Sequence, residues 1–316
     1  MTDLPKPRGR LSDAVLGALR DLPTVPVRGI EVPPESADDA ALTLWVLHEL
    51  SYGGFEGVDD GADGEPELVR VRGFLERRLE GELRARWPGV PDVELGSGFF
   101  DWVAEQHGPS LARYVQTDAT RDQVLDLMRF RSIYHLKEAD PTTWVIPRLP
   151  VAAKAALVEL QYDEYGVGDP ARLHAYLFAR GMEASGLRPE PGAYVDEAPV
   201  EILEQNNALS MFGLQRRLRG AAVGHLAAFE ATSSMPSRRM AQGLERLGFP
   251  DELVGYYTEH VEADAVHEQI ALRDVCVALV REEPALEQDV WFGAWACLDL
   301  ESRTARRLLD GWGVPA

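Results

Sequence analysis

Helical periodicity runs through nearly all of the 316 residues: apolar side chains recur every three or four positions. Alternating apolar and polar stretches flanked by hairpin dipeptides are missing, so strands have little to build on. This pattern restricts the chain to an all-α fold. The spacing predicts helices near 10–20, 37–52, 66–87, 109–117, 120–138, 150–165, 170–183, 198–206, 208–232, 236–247, 251–282 and 287–311. Turn chemistry separates them at Pro33-Pro34, the acidic glycine-rich stretch 57–64, Pro88 to Pro91, Asp140-Pro141, Pro189 to Pro191 and Ser234 to Pro236.

One predicted helix carries a stripe of metal-ligand types. His260, Asp264 and His267 stand at i, i+4 and i+7, which places them within roughly 60° of one another on a helix. Two imidazoles and a carboxylate on one face are the donor mix of a non-haem iron site. A solvated face is the plainer alternative, because Glu259, Glu262 and Glu268 are neighbours.

A stripe of three binds metal usefully only if other helices present acids and imidazoles to it. Glu230 closes the apolar stretch AAVGHLAAFE, one helix-turn-helix before His260. His225 precedes it by five residues, roughly 140° around the helix, and reads as a core residue or as one standing just behind the ligands. Glu164 and His174 bracket Tyr165-Gly166-Val167-Gly168-Asp169-Pro170, where two glycines end one helix and an Asp-Pro pair starts the next. Glu138 sits at the end of the predicted helix 120–138, three residues after His135. That spacing keeps open a ferritin-like bundle built from His135 with Glu138 and Asp264 with His267, although such bundles carry Glu-x-x-His twice and this chain has neither copy. Tyr134, Tyr162 and Arg148 are candidate neighbours of a substrate, each also readable as structural. His48, among Leu44, Trp45, Leu47 and Leu50, reads as a packing histidine.

Composition narrows the partners. Lys and Arg total 32 against 52 Asp and Glu, a formal charge of −20, which argues against nucleic acid or an anionic membrane and suits a cationic small molecule. Cys276 and Cys297 lie in apolar helical stretches without metal or redox spacing and read as core. The N-terminal residues lack an apolar signal core and no run approaches the ~18 apolar residues of a membrane span, so a cytoplasmic location is expected. Ligand candidates concentrate after residue 130, which suggests an N-terminal helical arm over 1–118 and an active core domain over 119–316.

Four segments, KEADPTTWVIPRL, LVELQYDEYGVGDPARLHAYLF, GHLAAFEATSSMPSRRMAQGLERLG and HVEADAVHEQIALRD, resemble the haem-oxygenase-like diiron oxidases, also described as iron-containing redox enzymes. The resemblance spans roughly residues 40 to 275. Its His-x-x-x-Asp-x-x-His motif is met by His260, Asp264 and His267, and its other ligands by Glu138, His174 and Glu230. Members that oxygenate nitrogen carry a further carboxylate, at the position of Glu164. The resemblance implies a seven-helix haem-oxygenase-like core with an N-terminal extension, usually dimeric, holding two irons and no haem, with O2 as co-substrate. The chain carries no flavin, nicotinamide or ferredoxin-like motif, so an external electron donor is expected. The implied activity is N-oxygenation of an amine, guanidine or aminoimidazole in natural-product biosynthesis. Oxidative C–C cleavage or desaturation of an amino or fatty acid is the alternative within the family; a ferritin-like iron store, or a helical scaffold without metal chemistry, is the alternative outside it.

Overall fold

The computed structural model describes residues 2–25, 27–106 and 108–314, with the side chains of 262–265 outside the described residues. Among the described residues the fold is all-helical, and its sole β feature is an isolated bridge between Thr2 and Phe55. The helices are α1 (Arg10–Asp21), α2 (Ala37–Glu49), α3 (Pro66–Arg86), α4 (Leu95–Glu105), α5 (Leu111–Thr117), α6 (Arg121–His135), α7 (Asp140–Thr143), α8 (Val151–Glu164), α9 (His174–Ala184), α10 (Val200–Leu214), α11 (Arg219–Ala231), α12 (Ser234–Arg246), α13 (Asp251–Gln269), α14 (Ala278–Glu282) and α15 (Glu287–Gly311). This is the all-α class that the apolar spacing predicts.

Helix α4 is hidden in the sequence because Gly96 and Gly98 occupy its first turn, where glycine weakens a helical signal. Phe99 and Val103 nonetheless bury one face, with the Phe99 ring 5.6 Å from that of Trp291. The expected break at residue 207 falls instead at Gln215, whose backbone is extended. Asn206 and Asn207 look like helix breakers, yet both are buried inside α10: their amides donate to the carbonyls of Ile202 and Ala41. Helix 170–183 starts only at His174, after a short 3-10 turn over Pro170–Arg172. The long helix expected over 251–282 widens into a π-helix over Ile270–Val277, one turn past His267; such widenings recur at functional sites.

Two apolar clusters hold the helices together. The larger joins α1 to α4 with α8, α10, α11, the π-helix and α15; the smaller joins α5, α6, α9, α12, α13 and the end of α15. At the centre, α11 and α15 approach until backbone meets backbone. A Cβ on Gly224 would lie 1.9 Å from the Val290 carbonyl oxygen, and one on Gly293 would lie 1.9 Å from that of Ala221. Around α2 the polar groups are closed off. Asp39 accepts from the Leu11, Ser12 and Glu35 amides, tying down the start of α1. His48 is a packing histidine, wedged between Glu76 at 3.1 Å and Asn207 at 3.3 Å. Both cysteines are buried and unpaired.

Candidate metal centre

Four helices and one turn converge on one point: the turn after α6 supplies Glu138, the end of α8 Glu164, the start of α9 His174, the end of α11 Glu230, and α13 His260 and His267. All six side chains are buried. They form two groups, Glu138 with His174 and His260, and Glu164 with Glu230 and His267, and within each group the donor atoms lie within 4.8 Å of one another. His174 joins the groups, its Nδ1 standing 3.1 Å from Glu164 Oε2. Asp264 belongs to α13, but its side chain lies outside the described residues.

The turn after α8 makes this convergence possible. Gly166, Val167 and Gly168 take φ values of 71°, 52° and 86° in succession, a left-handed run that a β-branched residue rarely tolerates. At Gly166 a Cβ would also sit 2.5 Å from the Leu173 amide nitrogen. The chain therefore reverses sharply and brings His174 back onto Glu164.

Hydrogen bonds around the site determine which atoms are left to bind a cation. Glu138 Oε2 lies 2.9 Å from both the Tyr256 hydroxyl, which donates to it, and His135 Nδ1. Its other oxygen, Oε1, is buried, has no hydrogen-bond partner among the described residues and faces His260 Nε2 at 3.9 Å. His260 Nδ1 lies 2.8 Å from the Tyr256 backbone carbonyl. A carbonyl only accepts, so Nδ1 carries the proton and the Nε2 lone pair points to Glu138. His267 is fixed in the opposite sense. Its Nε2 is 3.3 Å from Asp163 Oδ2, leaving Nδ1 to face Glu164 Oε1 at 3.4 Å and Glu230 Oε2 at 3.8 Å. An acceptor behind each imidazole is how proteins orient a metal-binding histidine. Asp163 and the Tyr256 carbonyl do this orienting, while His135 lies against the Glu138 carboxylate. Sequence reasoning missed the first two, although Asp163 sits beside Glu164 in the dipeptide Asp-Glu.

Burial pushes the Glu138 carboxyl up to about 7, aided by the nearby Glu164 charge and opposed by His260. Glu164 moves the other way: burial raises it, but the His174 hydrogen bond and the surrounding imidazoles outweigh that and lower it. Burial lowers His260. A cavity of about 20 Å³, lined by Glu138, Glu164, Glu230, His260, Tyr134 and His225, opens among these groups. Of the other residues weighed from sequence, Tyr162 is exposed and Arg148 donates to the Gly213 carbonyl, so both stand apart from the cluster.

The sequence profile of the iron-containing redox enzymes, a haem-oxygenase-like family, matches residues 125–302, more than half of the chain and all of the candidate ligands. The chain belongs to that family. No curated protein matches the sequence. As an iron-containing redox enzyme it is an oxidoreductase, and its two clusters fit iron. Imidazole with carboxylate is a donor set for Fe(II) rather than for magnesium or calcium, and each cluster has a buried atom facing its other donors, Glu138 Oε1 or His267 Nδ1, without a hydrogen-bond partner among the described residues.

His225 gives this enzyme an acid-sensitive core. Burial lowers its pKa from 6.5 to about 4. Above pH 6.5 the imidazole is neutral in both folded and unfolded chains; between 6.5 and 4 only the unfolded chain takes up the proton, so stability falls as pH falls. The loss approaches about 3 kcal/mol by pH 4. In His225→Leu, urea unfolding at pH 4.5 and 7 should show a difference smaller than in the wild type by about one proton's worth of slope. An unchanged difference would place the titration elsewhere.

Proposed function

We propose that the protein is a non-haem diiron oxygenase that uses O2 to oxygenate the nitrogen of an amine, guanidine or aminoimidazole. One observation carries the reading: two buried clusters, each of carboxylate and imidazole, touch through the His174–Glu164 pair. That arrangement suits two irons sharing carboxylates. One cluster would seat iron on Glu138, His174 and His260, the other on Glu164, Glu230 and His267, with Asp264 beside them on α13. Iron bound there would supply the reduction of O2 and the transfer of oxygen to the substrate. The chain's own residues orient the donors, keep the His260 proton on Nδ1, which donates to the Tyr256 carbonyl, and the His267 proton on Nε2, which donates to Asp163, and keep bulk water out of the site.

The fourth carboxylate, Glu164, and the charge of −20 support a cationic nitrogen substrate over a fatty acid. A fatty acid would call for a long apolar channel, whereas the large chamber adjoining the site carries charged side chains, among them Arg131, Asp299 and Glu301. Electrons come from a separate donor, and a homodimer is the assembly expected of the reading. To test it, the Fe(II)-loaded chain is mixed with O2 in a stopped-flow absorption instrument, with and without a panel of amines and guanidines. The proposal expects a transient visible band whose decay one nitrogen compound accelerates, with an N-oxygenated product. Oxidation of iron at the same rate whatever compound is present would favour an iron store instead.

A further inference from the structure

A cavity of about 500 Å³ lies among α6, α12, α15 and the segment leading into α5, a volume typical of small-molecule sites. We propose that it is the organic substrate's chamber, and that it takes an amine bearing a carboxylate at its far end, the carboxylate held by Arg131 and Arg306 and the nitrogen directed at the clusters. The inference rests on the oxygenase reading for the fate of the nitrogen, but not for the existence of the chamber.

The chamber meets the metal centre at two residues. Phe229 lines both this cavity and the small one among the cluster side chains. His135 lines the chamber and reaches Glu138 at 2.9 Å. The charges differ between the two cavities. The small one is lined by Glu138, Glu164 and Glu230. The chamber wall carries the half-buried Arg131 and the exposed Arg306, and one of its acids, Asp299, is held by Arg86 at 2.9 Å. Arg131 is paired with Glu301, which also accepts from Gln205 at 2.9 Å. This pair occupies only some of the guanidinium's five N–H donors.

Spacing sets the length of the ligand. Arg131, His135 and Glu138 follow at i, i+4 and i+7 along α6 and the turn after it, so the backbones at Arg131 and Glu138 are separated by about 10 Å along the helix axis at a rise of ~1.5 Å per residue. An extended chain with an amine and a carboxylate some eight carbons apart spans that distance.

The probe is 8-aminooctanoate, with octanoate and octylamine as controls, titrated calorimetrically into the full chain without oxygen, with and without Fe(II). The expected order is 8-aminooctanoate tightest, and weaker by about tenfold in both Arg306→Ala and Arg131→Lys, with octylamine unaffected by either change. Arg306 is exposed, so its variant folds as the wild type does even if Arg131→Lys does not. Ser237→Phe, which fills the chamber wall, should abolish binding of all three. Equal binding of octylamine and 8-aminooctanoate, no binding of either, or binding indifferent to Arg306→Ala and Ser237→Phe would overturn the proposal. Binding of the probe to a chain that takes up no iron would leave the chamber standing and sink the oxygenase reading; uptake of iron with no probe binding would do the reverse.

Discussion

His267→Ala is expected to reduce the iron bound from about two per chain to about one, and to lower O2-dependent turnover by more than about 100-fold. The imidazole is 1% exposed and, among the described residues, is the sole nitrogen donor of its cluster. Without it, Glu164 and Glu230 face each other across a void, and two carboxylates alone lose both the ligand count and the nitrogen donor that select Fe(II). Loss of even an outer partner of a metal ligand commonly costs 10–100-fold, so loss of a direct donor sets the larger figure. The helical content should survive, because His267 packs at the site and not in either apolar cluster. Far-UV circular dichroism beside iron analysis makes the check: full turnover, or a collapsed helical signal, would remove His267 from the set of iron ligands.

Gly224→Ala is the second large effect, on stability rather than chemistry. In an isolated helix alanine is better than glycine by roughly 0.5–1 kcal/mol. At Gly224 the new methyl would stand 1.9 Å from the Val290 carbonyl oxygen and 2.7 Å from its carbon. Both are backbone atoms, so no side chain can swing aside; α11 and α15 must separate by more than about 1 Å, and the packing of Ala221, Ala228, Phe292 and Ala294 loosens with them. A loss of at least about 3 kcal/mol is expected, a large part of the stability of an ordinary domain. Gly17 is the control: it lies inside α1, a Cβ there meets nothing within 4 Å, and Gly17→Ala should stabilise by up to about 1 kcal/mol. Urea unfolding of the two variants should move in opposite directions. Matching shifts would mean that helix propensity, and not the backbone contact, decides at Gly224.

The helical class and most helix positions were legible because apolar spacing of three and four is a local property of the chain. What failed was local too. Gly96 and Gly98 hid α4, and the two asparagines of α10 mimicked a break that lies at Gln215, because their burial against α2 is tertiary information. The candidate ligands could be nominated one by one, since Glu138, Glu164 and Glu230 interrupt apolar helical segments. Their division into two groups could not, because it depends on the turn at Gly166 to Gly168 and on which carboxylate each imidazole meets. The partners behind the ligands were harder still. The Tyr256 backbone carbonyl and Asp163 set the tautomers of His260 and His267 through distances that spacing does not encode. His225, five residues and roughly 140° from Glu230 on α11, lines the same small cavity.

An anaerobic Fe(II) titration of the full chain, followed by X-ray absorption at the iron edge, bears most directly on the paired clusters. The account predicts saturation at about two irons per chain, with nitrogen and oxygen donors bound to the metal and an iron–iron scattering contribution that disappears in His267→Ala. Saturation at one iron, or two irons with no iron–iron contribution, would contradict it.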